Sequence, residues 1–176
     1  MRKPLKIVLV GLPGSGKTTF AKMLAQQLKF TWIDLDDFIE KKSGLKISDI
    51  FDRGGEGEFR ELESFYLREI FSDSESFVLS TGGGAPCFND NMDLINANAV
   101  SVYLEVSLEE IMKRLSKDQL GKRPMFAGLG EGEVILKLKN LLASRESYYL
   151  QSKIKLSGDD ISTEQLMSEL MAFFKS

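Results

Sequence analysis

KIVLVGLPGSGKTTF, residues 6–20, decides how the chain is read. Lys6–Val10 is a short β-branched apolar run that stops at Gly11, the pattern of a buried strand. Gly11 to Thr18 then match G-x-x-x-x-G-K-[ST] without a gap. Glycines in such a loop let backbone N–H groups turn inward around a phosphate, and the N-terminus of the next helix adds partial positive charge. Phe20, Met23, Leu24 and Leu28 fall at helical spacing and place that helix over residues 18–28. Strand, loop and helix together meet the context the motif requires. They predict binding of a nucleoside triphosphate, with Lys17 at the β/γ-phosphates and the Thr18 hydroxyl on Mg²⁺.

The alternation continues outward. Residues 31–34, 77–80, 101–104 and 154–156 read as four more strands. Helical spacing covers 36–42, 58–70, 108–115, 134–150 and about 163–174. Strands regularly separated by helices argue for an α/β fold in three layers, a five-stranded parallel sheet covered on both faces. Ligands then bind beyond the carboxyl ends of the strands. No linker or repeat divides the 176 residues, so one domain spanning 1–176 is expected. Residues 117–132 hold glycines at 121, 128, 130 and 132 with little periodicity, which predicts a mobile lid over about 116–132.

Composition narrows the chemistry. A formal charge of −3 supplies no general basic field, which argues against a nucleic-acid track. No segment approaches the eighteen apolar residues of a membrane span, and a single cysteine, Cys87, suits a reducing, cytoplasmic setting. Histidine is absent, which removes His-based triads and His metal sites and leaves carboxylates, Lys, Arg and backbone amides.

Those groups cluster after the strands. Alternation along Ile33-Asp34-Leu35-Asp36 points both carboxylates toward the crevice. One is suited to steady a Mg²⁺ shell and the other to accept a hydrogen bond from an attacking hydroxyl. The competing reading makes Asp36 only the N-cap of the following helix. The third strand ends without an acid and runs instead into Gly82-Gly83-Gly84. Asp52-Arg-Gly-Gly55 imitates a GTPase D-x-x-G, but no strand precedes it and no N-K-x-D accompanies it. Arg60 lies at the edge of an apolar helix face with Glu63 one turn on; Arg123 lies in the glycine-spaced loop, and Arg145 on the helix before Tyr148-Tyr149. Arginine's planar fork suits bidentate capture of carboxylate or phosphate.

The ordered set G-L-P-G-S-G-K-T-T (11–19), D-L-D (34–36), F-R-E-L-E (59–63), G-G-G-A (82–85), K-R-P (122–124) and S-R-E-S-Y-Y (144–149) resembles shikimate kinase. The likeness covers nearly the whole chain, from the first strand to the last helix. It implies a nucleoside-monophosphate-kinase-like fold of P-loop kinase type, and transfer of the ATP γ-phosphoryl group to the 3-hydroxyl of shikimate in the chorismate route to aromatic amino acids. By that resemblance Gly11, Gly14, Ser15, Gly16, Lys17, Thr18 and Thr19 hold ATP, with Arg114 over the adenine and Arg123 swinging in with the lid. Thr18 holds one Mg²⁺ ion with Asp34 behind it. Asp36 holds the acceptor hydroxyls and is the candidate base, so Lys17, Asp36 and Arg123 form the catalytic set. Arg60 and Arg145 clamp the shikimate carboxylate, Gly82, Gly83 and Gly84 offer backbone N–H groups, and Phe51 and Phe59 line the pocket within a substrate-binding helical region of about 35–62. A monomer is expected. The loop at 157–162 has no basic residue where many relatives place one near the adenine.

Two other readings keep the phosphate loop. Gluconate kinase or a nucleoside monophosphate kinase shares the architecture, although the latter needs a second base pocket. A nucleotide-binding regulatory module is the alternative from another class. Intact Lys17, Thr18, Asp34, Asp36 and Arg123 argue against lost catalysis.

Overall fold

Side chains on a strand alternate between the two faces of a sheet, so a strand covered on both sides must be apolar throughout. The computed structural model, which describes residues 4–115, 124–126 and 128–175, shows this in β1, Lys6–Val10. Ile7 and Leu9 pack with Phe20 and Leu24 on one side, while Val8 and Val10 pack with Leu35, Leu67 and Tyr103 on the other. Four further strands join it: β2 Thr31–Asp34, β3 Phe77–Ser80, β4 Val100–Glu105 and β5 Ile154–Ser157. The sheet order is β2-β3-β1-β4-β5 and every pairing is parallel. All carboxyl ends therefore lie along one edge, with those of β2, β3 and β1 side by side.

Helix α1, Lys17–Leu28, and the last helix cover one face; α2 Leu35–Ser43, α3 Ile47–Ser72, α4 Asn91–Asn98, α5 Leu108–Arg114 and α6 Glu131–Tyr149 contribute to the core on the other. The last helix, α7 Thr163–Phe173, starts from a Ser162 cap reciprocated by Gln165. No helix among the described residues is long and apolar enough to cross a membrane.

Three sequence expectations change. The helix predicted over 58–70 begins at Ile47 and runs through a break at Gly55, whose φ of 70° and ψ of −165° leave the helical region. Asp52-Arg-Gly-Gly55 is thus helix and break, not a nucleotide motif. Helix α4 was not anticipated. The helix predicted over 134–150 begins earlier, at Glu131, so that Glu131 and Gly132 belong to α6; just before it Pro124–Phe126 form a 3₁₀ turn with Phe126 in the core. Residues 116–123, including Arg123, lie outside the described residues.

Candidate active site

The chain leaves β1 at Gly11, and left-handed backbone at Gly14 and Gly16 (φ 86° and 91°) turns it back so that Lys17 opens α1. The first turn of α1 has no acidic side chain, so the positive end of its dipole is left for an anion. Lys17 is buried, with Nζ donating to the carbonyls of Gly11 and Leu12 at 2.9 and 2.8 Å. Ser15 is buried against it; Thr18 and Thr19 are exposed.

Asp34 joins three elements. Its Oδ2 accepts from Thr18 Oγ1 at 3.1 Å and from Ser80 Oγ at 2.8 Å, the latter because Asp34 and Ser80 are register partners across β2 and β3. Its Oδ1 accepts from the backbone N–H groups of Asp36 and Asp37, at 3.1 and 3.4 Å. Asp34, not Asp36, is therefore the N-cap of α2. Strand alternation is also not what aims Asp36, because β2 ends at Asp34 and Asp36 stands in the first turn of α2. One hydroxyl and one carboxylate, Thr18 and Asp34, are a donor set that suits Mg²⁺ carried on phosphate oxygens, which takes few protein ligands. Among the described residues no group of three His, Cys, Asp or Glu side chains forms an all-protein metal cage.

Asp36 reaches the interior from α2. Burial and the neighbouring Asp34 raise its pKa to about 6, against the pull of Lys17 and Arg60. Glu63 of α3 is fully buried, and burial raises its pKa to about 7 although Arg60 and Arg145 act to lower it. The same ion pair holds Arg60 firmly charged despite its own burial. Asp36 Oδ1 and Glu63 Oε1 are buried with no hydrogen-bond partner, and both face Gly82: a Cβ there would lie 3.4 and 3.3 Å from them. Two acceptors aimed at one glycine make a cradle for hydroxyl groups.

The rest of the triplet makes close approaches. A Cβ on Gly83 would lie 2.8 Å from Pro13 Cδ in the first glycine loop, and one on Gly84 would lie 2.5 Å from Arg60 Nη2. Arg60 Nη1 donates to Glu63 Oε2 at 2.5 Å, and its Nε and Nη2 donate to Glu56 Oε1 at 3.2 and 2.8 Å. Phe51 stacks on Phe59 with centroids 4.8 Å apart. Arg145, half-buried on α6, acts on Glu63 and on Cys87, whose thiol burial pushes up to about 11. Tyr149 Oη donates to the Gly83 carbonyl at 2.6 Å and fixes the triplet from that side.

Arg114 stands at the other end of the first loop. Its Nη1 donates to the Ser15 carbonyl at 3.2 Å and its Nη2 to the Asp159 carbonyl at 2.5 Å. The 157–162 loop, which lacks a basic residue, is thus held by one from α5. A cleft of about 420 Å³ beside it is lined by Tyr103, Glu105, Ser107 and Asp159. The structure accordingly gathers Lys17, Thr18, Asp34, Asp36, Arg60 and Gly82–84 at one sheet edge, with Arg145 in electrostatic reach and Arg114 at its far side. Phe88 and Ser80 join them without having been singled out. Nothing in the sequence marks Phe88, whereas Ser80 follows from the β2–β3 register once the sheet order is known.

A family model described as shikimate kinase matches residues 13–175. A shikimate kinase of Sulfurihydrogenibium sp. is 38% identical over 169 residues, covering 96% of this chain and 97% of that one. The crystal structure of shikimate kinase from Bacteroides thetaiotaomicron superposes with a TM-score of 0.86 at 33% identity, covering 98% of this chain and 99% of that one. Shikimate kinase from Acinetobacter baumannii, solved in complex with shikimate, gives a TM-score of 0.82 at 30% identity over 97% of this chain and 93% of that one. The family match begins inside the first glycine loop and takes in the triplet and the acids and arginines between them: the chain belongs to the shikimate kinase family of ATP-dependent phosphotransferases.

Proposed function

We propose that this chain transfers the γ-phosphoryl group of ATP to the 3-hydroxyl of shikimate, giving shikimate 3-phosphate and ADP on the route to chorismate. The observation that carries it is the pair of unpartnered carboxylate oxygens over Gly82, within the field of Lys17 on one side and Arg60 on the other. A hydroxyl-rich acid placed there meets acceptors for its hydroxyls, cations for its carboxylate and a phosphate loop across Pro13.

Gly11, Gly14, Ser15, Gly16 and Thr19 surround the phosphates of ATP with Lys17, while Arg114 lies over the adenine end. Thr18 and Asp34 hold one Mg²⁺ ion, which when bound neutralises charge on the phosphate oxygens. Arg60 and Arg145 bind the shikimate carboxylate, Gly82, Gly83 and Gly84 contact its oxygens, and Phe51 and Phe59 wall the pocket. Asp36 accepts the hydrogen bond of the attacking hydroxyl and takes its proton as the new P–O bond forms and the bond to ADP breaks. Lys17 and Arg123 stabilise the charge of the transferring group, and the lid at about 116–132 excludes water on closing. The chain works as one kinase domain over 1–176, with the acceptor bound by the helical region of about 35–62. It is a cytoplasmic monomer that engages neither nucleic acid nor membrane.

A coupled assay of ADP release with shikimate, gluconate and AMP as acceptors tests this. Shikimate should exceed the others in kcat/KM by orders of magnitude. Preference for gluconate or AMP, or no acceptor-dependent turnover, overturns it. In the same assay Arg60→Ala should raise KM for shikimate and spare ATP binding.

A further inference from the structure

Arg60 is held from several directions. Glu63 and Glu56 grip its edges, Gly84 leaves room beside Nη2, and two aromatic rings lie against its guanidinium. Phe59, its chain neighbour, lies 5.1 Å from Cζ; the ring of Phe88, from the segment after the triplet, lies 4.3 Å away. Edge contacts fix where the guanidinium sits but allow the group to roll about the Glu63–Glu56 line. A ring against its face restricts that roll and adds a cation–π attraction. Which N–H bonds of the fork meet a carboxylate depends on the roll.

Phe88 is itself anchored on both sides. Asn89 and Asp90 adopt left-handed backbone, φ 50° and 56°, a region that Asn and Asp enter more readily than other residues with a side chain. Asn89 Nδ2 donates to the Arg60 carbonyl at 3.2 Å and lies 3.1 Å from Ser64 Oγ, which ties the turn to the α3 segment carrying Arg60. The fully buried Asn91 donates from Nδ2 to the Ala85 carbonyl at 2.8 Å and ties it to the triplet. The segment from Gly84 to Asn91 thus closes on Arg60 as a jaw, with Phe88 as its contact face.

We propose that Phe88 is a positioning residue that sets the plane of the Arg60 guanidinium and, through it, the preference for an acceptor bearing a carboxylate. This rests on the clamp role given to Arg60 above. Phe88→Leu keeps an apolar side chain of similar bulk without a π face; Phe88→Tyr keeps the face. The readouts are kcat, KM for ATP, and KM for shikimate and for its neutral carboxamide. Phe88→Leu should raise KM for shikimate about tenfold while kcat and the KM values for ATP and carboxamide stay within about twofold. Phe88→Tyr should restore the shikimate KM, and Phe88→Leu should add nothing in an Arg60→Ala background. Equal behaviour of the Leu and Tyr variants, or parallel changes for shikimate and carboxamide, overturns the proposal in favour of plain packing. If Arg60→Ala raises the shikimate KM and Phe88→Leu does not, the Phe88 inference falls alone; if Arg60→Ala leaves it unchanged, the clamp falls and takes this inference with it.

Discussion

The two glycine loops stand across Pro13 from each other and use glycine for different reasons. In the loop that follows β1, Gly11, Gly14 and Gly16 all have positive φ, so the backbone path itself excludes other residues. In the triplet none of the three has positive φ. What demands glycine there is proximity: Gly83 lies against Pro13, and Gly84 against the Arg60 guanidinium. The first loop shapes backbone N–H groups around a phosphate; the second is a thin floor that lets side chains from α2 and α3 converge. A shape made by backbone should be sensitive to any side chain at all, whereas a thin floor should be sensitive in proportion to what lies above each position.

Asp36 stands between the loops, and replacing it separates chemistry from binding. Asp36→Asn preserves shape but removes the charge that accepts the hydroxyl proton, so kcat should fall by about 10²- to 10⁴-fold with KM for ATP nearly unchanged. Steady-state kinetics at saturating ATP decide the matter. Near-normal turnover would reduce Asp36 to a residue that only holds shikimate in place.

Next in size is the effect of a methyl group on each loop. Gly16→Ala must adopt a φ of 91° and meets Arg114 Nη1 at 3.3 Å. Strain on the order of 1–3 kcal/mol should lower both stability and ATP affinity. Gly84→Ala has no such strain, but its Cβ would sit 2.5 Å from Arg60 Nη2 and must push the guanidinium aside. Its KM for shikimate should rise about tenfold or more while ATP binding is retained. Calorimetric titration with ATP, alongside shikimate kinetics, checks the pair. If both variants lose the same ligand, the division of labour between the loops is wrong.

Much of the first loop was legible because its information is local. Strand, motif and helix are contiguous, and β1, β2 and β3 begin and end where the sequence reading places them, at 6–10, 31–34 and 77–80. The second site is assembled from α2, α3, β3 and α6, and only its ingredients can be read from spacing. Glu63 orients Arg60 as the one-turn spacing on a helix predicts. Phe88 and Arg60 are 28 positions apart and meet through a turn of two left-handed residues that no periodicity announces. The missed α4 is short and exposes much of itself, with only Met92 and Ile95 as buried apolar residues. Gly54, Gly55 and Gly57 disguise the first part of α3, whose helical pattern resumes visibly only at Phe59.

The smallest expected effect concerns what lies over the triplet. The ion pair with Arg60, taken alone, would hold Glu63 below the ordinary carboxylate range and make it stabilising above that range. Burial and the proximity of Asp36 point the other way, and its pKa of about 7 lies above the ordinary 4.5. The folded protein then binds the proton more tightly than the unfolded chain, so Glu63 favours folding fully below pH 4.5 and that contribution is lost as pH rises through 7. Glu63→Gln cannot titrate, and contributions from other groups largely cancel when the two proteins are compared. The stability advantage of the wild type over Glu63→Gln, measured by denaturant titration, should therefore shrink between pH 4.5 and 7. A widening gap would mean that the Arg60 pair, not burial, governs the carboxylate, and that the acceptor loop rests on a permanent charge much as the phosphate loop rests on Lys17.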